Sequence, residues 1–342
     1  MPCPSLRVSL LLITGLASGF CAADVNQQYV FSSATELHSK SPLPPSEWEL
    51  SNVVAERVVT VSDRNVILEG PSFTRQGDLV FSDSTDGHLM RLSRDKKLSR
   101  IAAFDGLTLG GTAIHRDGRI FVTVIKKDFS QGWIVSMQAD GTDKKIIVPP
   151  DRGFIPNDIV FDKHGGFYFS DFRGSAVSGD GGAYYVSPDE QNIIPVLQHL
   201  SRANGIALSP DEATLWITEH AKNRLIRADL SAPTTIKPLG TYAPYSFTGT
   251  APDSLRTDSN GNIYVAMMRQ GRVLVFAPNG VPFAQILMPD RARGHNLATA
   301  SLALSPDKNE LYVVAGDLNG GGGAAIFRAP AFGHGKALFS HR

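Results

Sequence analysis

The sequence predicts an all-β fold, a six-bladed β-propeller with four-stranded antiparallel blades, and three observations carry that prediction. A strand-like apolar run recurs six times, beginning at Leu79 (LVFSD), Ile120 (IFVTV), Phe167 (FYFSD), Leu215 (LWITE), Ile263 (IYVAM) and Leu311 (LYVVA). Successive starts lie 41, 47, 48, 48 and 48 residues apart, a period typical of propeller blades. No amphipathic helical pattern of ten or more residues interrupts the series.

Residues 1–23 read as a secretory signal peptide. Arg7 is their only charged side chain, an apolar stretch VSLLLITGLA follows it, and Cys21-Ala22-Ala23 offers small residues for cleavage before Asp24. A periplasmic or secreted location is therefore expected, with no membrane attachment after cleavage. Residues 24–46 are polar, carry Pro42, Pro44 and Pro45, and read as an extended lead-in. The propeller is expected to occupy residues 47–342.

Turns punctuate the strands at Arg75-Gln76-Gly77-Asp78, Arg116-Asp117-Gly118, Asp162-Lys163-His164-Gly165-Gly166 and Asp258-Ser259-Asn260-Gly261. Glycine there supplies the positive φ of a tight hairpin. In the third blade, strands are expected at 159–161 (innermost), 167–170, 183–186 and 193–197 (outermost). Arg57–Val61 (RVVTV) precedes the first blade as an outer strand would, yet no inner strands come before it. It should complete the last blade and close the ring, removing sheet edges that invite aggregation.

Both cysteines, Cys3 and Cys21, fall in the leader. The mature chain then has no disulfide, no thiolate nucleophile and no cysteine metal site. Formal net charge is zero, and the lysine pairs 96–97, 126–127 and 144–145 are isolated. A nucleic-acid partner, which needs a basic surface, is excluded, and a monomer is expected.

Ten or eleven residues before each run stand Glu69, Gly110, Asn157, Asn204, Asp253 and Ala300. Equivalent positions in successive blades lie at equal radius around one axis. Glu69, Asn157, Asn204 and Asp253 should therefore converge just before the innermost strands, at one end of the central channel. Asn and Asp are also common turn formers, but four oxygen ligands at six equivalent positions point to a metal. Two carboxylates and two amide oxygens form a hard donor set that suits Ca²⁺, with Mg²⁺ and Mn²⁺ as alternatives.

The stretches LEGPSF, PNDIVFD, ANGIALSPD and PDSLRTD resemble the gluconolactonase and senescence-marker-protein superfamily of six-bladed propellers. DIVFDKHGGFYFSDFRG, NIYVAMMRQGRVLVF and the glycine-rich GGGGAAIFRAPAFGHG ending are similar to its drug-responsive lactonase branch. The resemblance covers roughly residues 60–335. It implies a Ca²⁺-dependent lactonase, with Glu69, Asn157, Asn204 and Asp253 as ligands and Asp253 also as general base. That branch carries Asp where this chain has Asn157, and it lacks a leader.

A lactone carbonyl polarised by the cation, with Asp253 taking a proton from water, would give hydrolysis of a small lactone or ester. No G-x-S-x-G, H-E-x-x-H or phosphate loop competes. Loops on the ligand side should contribute Arg173, Glu219, His220, Tyr245, Phe247, Ser254, Arg269 and His295 to substrate binding. Two other readings stay open: a different enzyme on the same scaffold, such as a sugar-acid lyase or arylesterase, and a non-catalytic ligand- or protein-binding propeller with a structural Ca²⁺.

Overall fold

A computed structural model describes Glu36 and residues 38–318 and 321–342; residues 1–23, read above as a signal peptide, lie outside the described residues. The chain opens with β1 (Ser51–Val54) and β2 (Glu56–Ser62) and then forms six blades in sequence. The first holds β3 (Leu68–Phe73), β4 (Leu79–Asp83), β5 (His88–Leu92) and β6 (Leu98–Ala103). The second holds β7 (Leu107–Ile114), β8 (Ile120–Lys126), β9 (Gly132–Met137) and β10 (Lys145–Val148). In the third are β11 (Pro156–Phe161), β12 (Phe167–Asp171), β13 (Gly181–Val186) and β14 (Ile193–Leu200), and in the fourth β15 (Ala203–Leu208), β16 (Thr214–Glu219), β17 (Arg224–Ala232) and β18 (Thr235–Ser246). The fifth comprises β19 (Pro252–Thr257), β20 (Ile263–Met267), β21 (Arg272–Phe276) and β22 (Pro282–Leu287). β23 (Ala298–Leu304), β24 (Glu310–Gly316) and β25 (Ala324–Pro330) begin the sixth.

Closure comes from β2, which pairs antiparallel with β25 as the sequence predicts. The first strand of each blade touches that of the next, and β23 returns to β3, so six first strands ring the channel. The six repeated runs are the second strands. Five of them, all but β24, are buried nearly throughout, because each blade is sandwiched between two others. Strands buried on both faces read as continuous apolar runs rather than alternating ones.

One blade departs from the four-stranded expectation. β1 adds to β22 in parallel, making the fifth sheet five-stranded. Ala55 alone separates β1 from β2, so the chain steps from the edge of the fifth blade to the edge of the sixth. Glu47 anchors this step. Its buried carboxylate pairs with Arg272 and accepts from the Tyr245 hydroxyl at 2.6 Å, and its carbonyl accepts from Gln285 Nε2 at 3.0 Å. Earlier still, Leu43 is buried and Lys40 N donates to Ala292 O at 2.8 Å, so residues 38–46 lie against the propeller.

The far end of the channel is closed. A void of about 60 Å³ there is bounded by the later residues of all six first strands and by residues 335–340. Phe339 stacks on Phe161 at 5.6 Å and meets His115 edge-on at 4.8 Å.

Candidate active site

Each innermost strand breaks its pairing with the second strand at the same place. The register shifts between Glu69 and Ser72, Leu109 and Thr112, Pro156 and Ile159, Ala203 and Ile206, Pro252 and Leu255, and Thr299 and Ser301. All six equivalent positions found in the sequence, Glu69 to Ala300, fall at these irregularities. They sit inside the strands rather than before them, because pairing resumes beyond the break at Leu68, Pro156, Ala203 and Pro252. A bulge of this kind re-aims a side chain that regular pleating would place elsewhere.

Hydroxyl groups fix the bulges. The fourth residue of the repeated run is Ser82, Thr123, Ser170 or Thr218 in the first four blades. Each donates to the bulge carbonyl of the following blade: Ser82 to Gly110 (2.8 Å), Thr123 to Asn157 (3.0 Å), Ser170 to Asn204, and Thr218 to Asp253 (2.5 Å). Ser170 and Thr218 also accept the N–H groups of Asp158 and Gly205, at 3.0 and 2.7 Å. Bulging leaves backbone groups without ladder partners, and buried orphans are costly. One hydroxyl therefore satisfies two blades at once. The last two runs carry Ala266 and Val314 here, and the relay stops.

Close approach of adjacent blades explains two glycines. Gly70 has φ +51°, and a Cβ there would stand 2.5 Å from Thr112 N. At Gly205 a Cβ would stand 2.5 Å from Leu255 N and 2.7 Å from Asp253 O.

Glu69, Asn204 and Asp253 are all buried at the channel end, and Asn157 is half-buried. The Asn204 side chain lies close to the Asp253 carboxyl. Burial pushes the Asp253 carboxyl up to about 7; the Asn204 contact opposes this, while neighbouring Asp158 reinforces it. Glu69 lies well above the usual carboxylate range, raised first by burial and then by Asp253 and Asp158. Within this group Asn204 Oδ1 and Asp253 Oδ1 are fully buried and accept from no donor among the described residues. Buried oxygens of this kind carry a penalty unless something positive faces them. A hard divalent cation fits this donor set, and Glu69, Asn157, Asn204 and Asp253 are the residues that would hold it.

Sequence patterns did not single out the ion pair behind this cluster. Arg256 of β19 grips Asp158 of β11 through two nitrogens at 2.6 and 3.1 Å, and Asp158 also accepts from Ile206 N at 3.3 Å. Three blades are tied together beside the ligands. Asp158 follows Asn157 directly and Arg256 lies three residues after Asp253, a spacing that carries meaning only once the blades are assembled.

The residues expected around the mouth divide into two groups. His220 Nδ1 contacts Pro252 O at 3.0 Å, next to Asp253, and its charged form is disfavoured by burial and by Arg202 and Arg269. His295 Nδ1 meets the buried Asp317 carboxylate at 2.7 Å, with nearly half of the His295 side chain exposed. Arg173 pairs with Asp171 at 2.7 Å, Arg269 is exposed, and Ser254 is buried with an unpartnered Oγ.

Glu219, Tyr245 and Phe247 turn inward. Glu219 is wholly buried: Oε1 accepts Ser201 N at 2.8 Å and Oε2 takes Arg224. It holds the loop leading into β15 instead of facing the mouth. Tyr245 and Phe247 pack on each other and on Phe276 at 5.0–5.8 Å, in the core between the fourth and fifth blades.

Another trio, Asp83, Asp86 and His88, gathers its ligand atoms within 4.8 Å at the edge of the first blade. Arg64 already pairs with Asp86, and Asp86 N donates to Asp83 Oδ1 at 3.0 Å. These partners set it apart from the channel cluster.

Fold and site together define a class: six-bladed propellers with oxygen-bearing side chains gathered at one end of the channel. This chain belongs to the SMP-30/Gluconolactonase/LRE-like family, which residues 68–317 match. It is similar to lactonase drp35 of Staphylococcus saprophyticus, 42% identical over 321 residues that cover 92% of this chain and 99% of the relative. Among solved structures it is similar to a luciferin-regenerating enzyme (TM-score 0.69, 19% identity, 83% of this chain and 97% of the other). It is also similar to the calcium-binding protein regucalcin of Agrobacterium tumefaciens (TM-score 0.67, 18% identity, 84% and 97%). At such identities the solved structures speak for the fold alone.

Proposed function

We propose that the protein is a metal-dependent lactonase that opens a small cyclic ester by water attack, with Asp253 as general base. The observation that carries this reading is the pair of buried, donorless oxygens on Asn204 and Asp253 beside Glu69, in a chain whose relative over nearly its full length is a lactonase. A bound divalent cation, Ca²⁺ by donor chemistry, would supply Lewis acidity toward the ester carbonyl. Asp253 is held by the Thr218 hydroxyl through its carbonyl, and the Asn204 side chain lies beside its carboxyl. Its carboxylate takes a proton from the water that adds to the carbonyl carbon. The ring C–O bond then breaks, and the same carboxyl returns the proton to the departing alkoxide, giving a hydroxy acid. Residues 1–23 support export of the chain, with a mature start near Asp24 to be checked by mass spectrometry.

The decisive experiment pairs two variants. Asp253→Asn keeps an oxygen ligand and removes the base, so lactone hydrolysis should fall at least ~100-fold and stay low in excess Ca²⁺. Glu69→Gln loses the same charge from the same cluster and should recover as Ca²⁺ is raised. Equal recovery of both would reduce Asp253 to a ligand. Absence of hydrolysis across a lactone panel, with Ca²⁺ retained and stabilising, would favour a binding propeller.

A further inference from the structure

Beside the ligand cluster, between the third, fourth and fifth blades, lies an open hollow of about 380 Å³. Arg202, Arg269, His220, Asn223, Ala251 and Met268 line it. Other cations on this face are matched by carboxylates: Arg173 by Asp171, Lys222 and Arg224 by Glu219, Arg272 by Glu47, and Arg293 by Asp290. Arg202 and Arg269 have no acidic partner among the described residues. Both are exposed. Arg202 is aimed by its surroundings: Nε donates to Gly174 O at 3.1 Å, and the guanidinium lies over Phe172 at 5.3 Å. Phe172 in turn meets His220 edge-on at 5.4 Å. Arg269 sits at the turn after β20 with φ +68°.

His220 stands in the same lining as the two cations. The Pro252 carbonyl can only accept, so His220 Nδ1 carries a proton and donates it there. Both arginines disfavour a charge on His220. The hollow thus offers two guanidinium forks without an acidic partner among the described residues, the His220 ring, and an apolar wall of Ala251 and Met268.

We propose that this hollow binds a carboxylate carried outside the lactone ring, so that the preferred substrates are acidic lactones. A guanidinium fork matches the two oxygens of a planar carboxylate. The position suits substrate orientation, because His220 touches the residue preceding Asp253 and an anchored carboxylate would place the ring over the ligand cluster. The reaction rests on the lactonase reading above; the binding of the anion does not.

The test compares a five-membered lactone bearing a ring carboxylate with its methyl ester. Wild-type protein should prefer the acid in kcat/KM. Arg269→Gln should cut the acid-to-ester ratio ~10-fold, chiefly through KM, the scale of one charge-assisted contact. Arg202→Gln with Arg269→Gln should remove the preference, and Arg269→Lys should restore part of it. A second arm needs no turnover. In calorimetric titration cyclopentanecarboxylate should bind wild-type protein, its amide should not, and the double variant should lose the difference. If no lactone is hydrolysed but the carboxylate still binds through the arginines, the lactonase reading fails and the anion site stands. Equal handling of acid and ester by the wild type, with equal binding of carboxylate and amide, would overturn the proposal.

Discussion

The two ends of the channel are built from the same six strands and are finished in opposite ways. At one end every strand bulges, hydroxyls replace lost ladder contacts, and buried oxygens of Asn204 and Asp253 have no donor among the described residues. At the other the pairing is regular, and residues 335–340 seal the opening with Phe339 against Phe161 and His115. Stability therefore concentrates where the ladder is intact. The end with unmet polar demand is the one fitted to bind something. Stored polar frustration of this kind is a common mark of functional sites.

Perturbing each end separately should break the comparison if it is wrong. Phe339→Ala removes a buried ring from the sealed end and should cost about 3–5 kcal/mol in chemical denaturation. Hydrolysis per folded molecule and Ca²⁺ affinity should not change; a large loss of either would mean that the two ends are coupled.

Lys336 sharpens the same point. Burial pulls its ammonium down to about 8, with Glu212, Asp162 and Asp211 opposing, and Nζ has no hydrogen-bond partner among the described residues. The folded lysine holds its proton less tightly than the unfolded one. Native stability should therefore rise as pH climbs from about 8 towards the lysine's ordinary value near 10.5. Lys336→Met should stabilise by up to about 3 kcal/mol below pH 8. Its advantage should shrink above that, as read from denaturation midpoints across pH. An unchanged pH profile would show that Lys336 is not the titrating group.

At the bulged end, Gly205→Ala forces a Cβ against Leu255 N and Asp253 O. It should cost about 1–3 kcal/mol and, unlike the sealed-end variants, also depress hydrolysis by moving Asp253. The smallest effect is expected for Thr218→Val, which leaves Gly205 N–H and Asp253 C=O without their bridge at a cost of about 1–2 kcal/mol. Ca²⁺ affinity, followed by titration, should weaken with it. Loss of stability without loss of affinity would make the hydroxyl relay purely structural.

The sequence by itself determined the number of blades, the closing role of Arg57–Val61 and the places of Glu69, Asn157, Asn204 and Asp253. Those features repeat, and a period imposed by identical packing around an axis is visible in one dimension. The hydroxyls of the relay were equally exposed in it, as the fourth residue of LVFSD, IFVTV, FYFSD and LWITE, although their bonds reach across blades. Only the tertiary structure decided which loop residues look into the mouth. Glu219 ends β16, Tyr245 lies in β18 and Phe247 follows it directly, and packing against Phe276, Ser201 and Arg224 turns them inward. Tertiary structure likewise made the Asp158–Arg256 pair, the five-stranded fifth sheet and the seal at residues 335–340. Each of these occurs once in the fold and joins distant segments. Such a contact leaves no period in the sequence, because its energy arises only when both partners are already in place.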